Sequence, residues 1–502
     1  QEPMSHIRSL RDYISELDKI GEVQTIDREV DWDLEAGAII RRSYDLRAPA
    51  PLFTNIKGYG GTGFRLLGAP GALSSPVHPF ARIALSIGLP ADATAQQVVE
   101  ALVAARGKPF VPPTVVPRAD APCKENIMLG DDVDVLAFPT PRIHGGDAGR
   151  YIQTYGLNIV KTPDGSWTNW SVNRAMIHDR RTLASMVLPI QHIGMVRDRW
   201  TEVGEPMPIA LALGVEPAGP VVGGMPLPEG VDESHYLGAL VGEPVELVPA
   251  ETVDLLVPAT AEIVIEGRIA LDATVMEGPM SEMFGYKALE GSPKQRFDIS
   301  AITYRNEAIL PVVAAGPPVE EDHMMIGVTG AAETLYELRK AGLPIAHAWY
   351  NFEALLHWLT IAVRSDWHET TGLASHELIE RIADVLFHGK WTLNIPKTLV
   401  VEDDIDVTDI GDVVWAFATR SHPDLARGEF HFPPSVADAL AVYLTPEEQN
   451  GMKAGKVIYN CLLADLYPPG KRPTKADFAH GWPKEIQQRV LDNWQRYGYA
   501  AR

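Results

Sequence analysis

Cysteine is scarce in this chain: Cys123 and Cys461 are the only two in 502 residues, and they stand far apart. That excludes a disulfide framework and a thiolate metal cluster, and leaves two buried thiols in a reducing, cytoplasmic setting as the expectation. Long hydrophobic runs are missing too. None approaches the ~20 residues that cross a bilayer, and the N-terminus lacks a signal-peptide pattern. The "QEP" before Met4 reads as a leftover tag, with Met4 the native start. Basic residues are few beside acidic ones, 44 against 66, for a net charge of −22. Such a surface repels nucleic acid and anionic membrane, so a small anionic substrate would need a local cationic pocket. No Gly-x-Ser-x-Gly elbow and no P-loop occur, and "HELIE" at 376–380 lacks the second His of a zincin. There is no internal repeat and no low-complexity tract.

A chain of this length exceeds one ordinary core and predicts several domains. Residues 1–115 read as an N-terminal α+β region. "SHIRSLRDYISELDKIGEV" predicts a helix capped by Ser5, with Ile7, Leu10, Ile14 and Leu17 on one face and Gly21 at its end. "APAPLFTNIKGYGGTGFRLLG" predicts two strands and a glycine-rich turn. "TAQQVVEALVAA" predicts a helix with a Thr94–Gln97 capping box. Residues 116–318 turn to short strands broken by Pro and Gly, predicting a β-rich split barrel. Residues 319–475 alternate helix and strand, and predict an α/β C-terminal domain. There "TLVVEDDIDVTDIGDVVWAFATR" reads as strand, acidic turn, helix, strand. Residues 476–502 predict a terminal helix with Ile486, Val490 and Trp494 on one stripe, suited to a partner subunit. The fold class is α/β (α+β), multidomain.

The chemistry-bearing stretches fall in the middle segment. "TNWSVNR", residues 168–174, has strand character, yet Asn169, Asn173 and Arg174 are costly to bury unpaired. "PIQH" supplies Gln191 and His192, "MPLPEGVDE" supplies Glu233, and "MEGPMSEM" supplies Glu277 and Glu282. An Asn, a His and a Glu offer O and N donors suited to Mn²⁺ or Mg²⁺. Taken singly, each has an ordinary structural reading: a hydrogen-bonded His, a turn Asn, a helix-capping Glu. Glu277 and Glu282 sit in Gly/Pro-bounded segments where exposure is the default. Their apolar neighbours point instead to paired carboxyls or raised pKa values. "EDDIDVTD", 402–409, reads as a solvated turn rather than a cation site.

In this order, "TNWSVNR", "PIQH", "MPLPEGVDE" and "MEGPMSEM" resemble the UbiD family of reversible decarboxylases, most closely its ferulic acid decarboxylase branch. The resemblance runs down to "AGKVIYNC" and "NWQRYGY". It implies prenylated FMN, made by a flavin prenyltransferase and held with Mn²⁺ and K⁺. It implies Asn169, His192 and Glu233 as Mn²⁺ ligands, and K⁺ held around Trp170, Val222, Gly223, Met225 and Glu233. Trp170, Ser171, Val172, Asn173, Arg174, Gln191 and Lys390 would line the cofactor, with Lys390 reaching its phosphate. Arg174, Glu277 and Glu282 would form a catalytic network, Glu282 being the proton donor. Met283, Ile326, Ala437 and Ala439 would line the substrate pocket. Where the family reads "DGG", this chain reads "DAG" at Asp147–Gly149.

The implied reaction is reversible, non-oxidative decarboxylation of an aromatic or heteroaromatic acid by a homodimer or larger homo-oligomer. The two alanines leave room for a fused-ring substrate, indole-like or tricyclic. Cinnamate- or ferulate-type acrylic acids are the alternative, and a non-catalytic flavin-binding protein a third reading. Ideal strand parity puts positions five apart on opposite faces. For Asn169 and Arg174 to serve one site, the strand must end, bulge or twist between them.

Overall fold

The structure is a computed structural model and describes residues 5–287, 290–389, 391–438 and 441–501. Its contacts divide the chain into two compact units, Gln1–Glu333 with Phe352–Leu356, and Thr334–Asn351 with His357–Arg502.

In the first unit the opening helix spans Leu10–Lys19 and buries Leu10, Tyr13 and Leu17. Its cap is Ser9, whose hydroxyl accepts from the Asp12 amide. The expected cap, Ser5, bonds through its own amide to Gly88 O instead, so Ile7 lies upstream of the helix. Gly21, at φ +74°, turns the chain away. Strands Ala50–Phe53 and Arg65–Gly68 pair antiparallel across the glycine-rich turn. They sit in a sheet ordered Val23–Ile26, Ala50–Phe53, Arg65–Gly68, Ile309–Val312. Helix Ala95–Arg106 carries the expected capping box.

The larger sheet of this unit positions the site. Its path runs Tyr151–Gln153, Ala175–Asp179, Thr182–Ser185, Ser292–Tyr304, Ile263–Glu277, Met207–Leu213, Gly156–Lys161, Thr168–Ser171, with Asn126–Leu129 beside Ser292–Tyr304. It is a curled, open sheet in a mixed α/β protein. The curl has a local cause. Ile263–Glu277 and Ser292–Tyr304 pair antiparallel with register shifts at Glu266/Gly267 and between Ile269 and Thr274, and such bulges bend and twist a strand pair. At Gly267 a Cβ would lie 2.0 Å from Asp298 O, so only glycine admits that approach. Leu211, Ile265, Phe297 and Ile302 fill the concave core.

The second unit holds a sheet ordered Ile345–Tyr350, Trp358–Val363, Lys397–Glu402, Lys453–Asn460, Glu429–Val436, its inner three strands parallel. Parallel pairing requires crossovers, supplied in part by helices Ser375–His388 and Ile410–Arg420. The "AFATR" expected as a strand is the end of the second helix, whose buried Val413 and Ala416 keep helical spacing. The acidic turn is consumed locally: Asp409 caps that helix and Asp404 forks onto Arg420 at 2.9 and 2.7 Å. The terminal helix is shorter than expected, Lys484–Asp492, and Trp494 lies beyond it, stacked on Tyr499 at 4.2 Å. Cys123 and Cys461 are buried and free, and burial pushes their thiols up to about 11 and about 12. Among the described residues, no helix is long and apolar enough to cross a membrane.

Candidate active site

The hairpin Gly156–Lys161/Thr168–Ser171 sets the first group of side chains. Its turn closes where Asp164 accepts from the Ser166 amide and the Thr162 hydroxyl. Register places Asn169 opposite Val160 and Trp170 opposite Ile159. The strand ends at Ser171, which resolves the parity conflict between Asn169 and Arg174. Past that end, side chains replace the ladder. Asn158 Oδ1 accepts from the Asn173 amide at 3.1 Å and from Gln153 at 2.8 Å. Asn173 then donates to Gln191 Oε1 at 2.8 Å and accepts from the Ser171 hydroxyl at 2.6 Å. The buried Asn173 is thus paired on both sides of its amide.

Glu233 is the first residue of helix Glu233–Val241, with Asp232 rather than Glu233 as its cap. The Glu233 carboxylate is buried and accepts from Asn169 Nδ2 at 2.8 Å and the Trp170 amide at 2.9 Å. Burial holds it well above the usual carboxylate range. Asn169 Oδ1, also buried, has no hydrogen-bond partner. His192 opens helix His192–Val203, and its ring packs edge-on against Trp167 at 5.1 Å. Trp167 in turn donates to Val231 O at 3.1 Å. The hairpin therefore carries Asn169, faces Glu233 and packs on His192. Among the described residues, no three His, Cys, Asp or Glu side chains form a metal cluster; this trio counts only two of those types, the third being an amide. An orphaned amide oxygen beside a buried carboxylate is an environment that a divalent cation satisfies.

Helix Ala218–Gly223 lies against the strand end. Val222 and Met225 are buried, and a Cβ on Gly223 would come within 2.7 Å of the Leu157 side chain and 3.4 Å of Val172. The absence of a side chain at position 223 thus lets the end of this helix sit close against Leu157 and Val172. Val172 packs beside Tyr155, Val313 and Met325.

The second group centres on Arg174. Its Nε and Nη2 bind the two oxygens of Glu277 at 2.9 and 3.1 Å, and its Nη1 pairs with Glu282. Glu277 terminates strand Ile263–Glu277, is buried, and accepts a third bond from Tyr151 Oη at 2.7 Å. Burial and that carboxylate raise the Tyr151 phenol far above its ordinary range. Exposure, the sequence default for these segments, does not hold for Glu277. Glu282 keeps 27% of its side chain exposed; its carbonyl accepts from the Gly285 amide at 3.1 Å, and among the described residues its carboxylate meets Arg174. The two carboxylates are therefore unequal: one is locked by three donors, the other is open on one side.

Met283 and Ile326 are both half-buried, and Met283 O accepts from His323 Nε2 at 2.7 Å. Ala437, in the second unit, is buried with Ala441, Leu444 and Ala454. Lys390 and Ala439 lie outside the described residues. Sequence reasoning missed Tyr151, Asp147 and His323. The first carried a signal, a Tyr opening a strand otherwise free of charge; the "DAG" departure marked the second; nothing local marked the third.

Comparison with known proteins bears on the whole chain. Residues 14–102, 114–318 and 323–461 match the N-terminal, Rift-related and C-terminal domains of 3-octaprenyl-4-hydroxybenzoate carboxy-lyase. The chain is 41% identical over 492 residues to pyrrole-2-carboxylic acid decarboxylase of Pseudomonas aeruginosa, covering 98% of each. It is 37% identical over 494 residues to ferulic acid decarboxylase 1 of Saccharomyces cerevisiae, covering 97% of this chain and 98% of that one. Among solved structures, it resembles the UbiD-class enzyme HmfF of Pelotomaculum thermopropionicum in complex with FMN, at TM-score 0.78 and 26% identity, covering 93% and 97% of the two chains. An evolved dimeric form of the same enzyme, in complex with prenylated FMN, aligns at TM-score 0.77 and 26% identity, covering 94% and 97%.

Proposed function

Because the chain belongs to the UbiD family and is a carboxy-lyase, we propose that it removes CO₂ reversibly from an aromatic or heteroaromatic acid using prenylated FMN. The observation that carries this reading is Arg174 held between a locked Glu277 and an open Glu282. Asn169, His192 and Glu233 would hold the cofactor phosphate through Mn²⁺, and Asn169 Oδ1 and the buried Glu233 carboxylate suit that ion. K⁺ would be held around Trp170, Val222, Gly223, Met225 and Glu233, as the family resemblance implies. When bound, prenylated FMN supplies the electron sink that loss of CO₂ from an unsaturated carbon requires.

The chain's own residues do the rest. On a molecule of net charge −22, Arg174 provides the local cation that receives the substrate carboxylate. Glu277 occupies Nε and Nη2, so the guanidinium keeps its orientation while the substrate competes with Glu282 for Nη1. A displaced Glu282 loses the cation that favours its charged form. It can then take up a proton from solvent and pass it to the carbon that CO₂ has left, so that the carboxylate plus one proton becomes the arene or heteroarene plus CO₂. Glu277, saturated by Arg174 and Tyr151, is poorly placed for that transfer.

The test is production of the protein with and without a flavin prenyltransferase, followed by absorbance, native mass spectrometry and CO₂ release. Decarboxylation should require the modified flavin, one per chain, with Mn²⁺ bound. Full activity in flavin-free protein would overturn the proposal. A panel running from pyrrole-2-carboxylate through indole-like and tricyclic acids tests the fused-ring preference. Cinnamic acid preferred over every bicyclic acid would favour the acrylic-acid reading.

A further inference from the structure

Glu282 sits on a short segment between the end of strand Ile263–Glu277 and the start of strand Ser292–Tyr304. A partly exposed carboxylate on such a segment cannot be placed by packing alone, and proton transfer demands placement within a fraction of an ångström. Side chains from two other parts of the first unit grip the residues on either side of it. The Ser281 amide donates to Asp147 Oδ1 at 3.0 Å. The Met283 carbonyl accepts from His323 Nε2 at 2.7 Å. A further main-chain bond, Ala148 N to Pro279 O at 2.9 Å, ties the same "DAG" stretch to the segment.

Both grips are themselves fixed. Asp147 Oδ2 accepts from the His144 amide at 3.0 Å and meets its Nδ1 at 2.8 Å, while His144 Nε2 donates to Ala315 O at 2.7 Å. His323 is fully buried, and its Nδ1 accepts from the Glu320 amide at 3.0 Å. Glu320 Oε1 also lies 3.1 Å from that nitrogen. Burial, with Asp322 and Glu321 close by, pushes the Glu320 carboxyl well above the usual range, and the amide bond alone fixes Nδ1 as an acceptor. The Nε2 proton is therefore the one pointed at Met283 O. Burial also lowers His323 to about 4, which keeps the ring neutral and this polarity constant.

We infer that His323 and Asp147 are positioning residues for proton transfer, holding Glu282 in register with Arg174 through the backbone at Met283 and Ser281. The inference rests on Glu282 being the donor, as proposed above.

The experiment uses cofactor-loaded protein and compares His323→Phe with His323→Gln, and Asp147→Ala with Asp147→Asn. Gln can still donate to Met283 O, and Asn can still accept from Ser281. His323→Phe and Asp147→Ala should lower kcat, and the exchange of product C–H with D₂O, by about 10- to 100-fold. KM should stay within about twofold and flavin content should not change, while Gln and Asn recover most of the loss. Wild-type kcat in either truncated variant would overturn the inference. So would a kcat loss matched by flavin loss that the conservative variant fails to rescue. If His323→Phe does not fold, the Asp147 pair carries the same test from the other side of the segment. Glu282→Gln is measured in parallel. If it turns over at wild-type rate, the donor assignment itself fails; if it is inactive while both truncated variants are unimpaired, only the positioning inference fails.

Discussion

Glu277 and Glu282 differ in how many donors each already serves, and that difference sets their separate roles. Glu282→Gln keeps shape and hydrogen-bonding capacity while removing the acid. It should retain flavin and Mn²⁺, and lose turnover by about 10²-fold or more, the scale of general acid catalysis. C–H exchange should fall in parallel, because it uses the same proton. His192→Ala should instead lose metal and much of the flavin, read by metal analysis and absorbance. Near wild-type decarboxylation by Glu282→Gln would move the donor role to Glu277. The family resemblance named both glutamates and implied Glu282 as the donor, but the residue types in "MEGPMSEM" give no physical reason for that ranking. Their ranking depends on Tyr151, 126 residues from Glu277 in sequence.

At the scale of elements, the N-terminal segment fastens the helix that approaches the strand end. His6 bridges Glu216, just before helix Ala218–Gly223, and Glu243, at 2.6 Å from the latter. Arg8 adds a fork onto Glu243 at 3.1 and 2.6 Å. Burial opposes the charge on His6, yet the two carboxylates outweigh it and raise its pKa above 6.5. A raised folded-state value means that the stabilisation is fully present below the unfolded value and is lost as pH rises through the folded one. The difference in Tm between wild type and His6→Gln should therefore be largest below about pH 6.5 and shrink at higher pH. A difference that grows with pH would refute the pairing.

The whole molecule sets a net charge of −22 against the Arg174 guanidinium in the candidate site. It also exposes apolar side chains toward its C-terminus: Phe478, Trp482, Leu491, Tyr497 and Tyr499. Scattered apolar residues are ordinary, but several within some twenty residues favour a covered face. We expect at least a homodimer built through this region. Light scattering at micromolar concentration should give a mass of 110 kDa or more, twice the 55.0 kDa chain; a monomer mass would refute it.

Periodicity and capping chemistry are local, so the sequence by itself determined the Thr94–Gln97 box, the glycine-turn hairpin and the β-rich middle segment. It failed where a local choice had two solutions. Ser5 and Ser9 both suit a helix start, and tertiary bonding of Ser5 to Gly88 decided between them. "AFATR" has strand composition, but Val413 and Ala416 fall on the buried side of a helix and carry it through. The motifs singled out Asn169, Arg174, Glu233, Glu277 and Glu282 as candidates because those residue types in that order are distinctive. Only the tertiary structure showed that the strand stops at Ser171, so that Asn169 and Arg174 escape the two-residue alternation of an unbroken strand. It alone brought Tyr151, Asp147 and His323 to the network, because hydrogen bonds across 40 to 134 residues of chain leave no periodic trace in sequence.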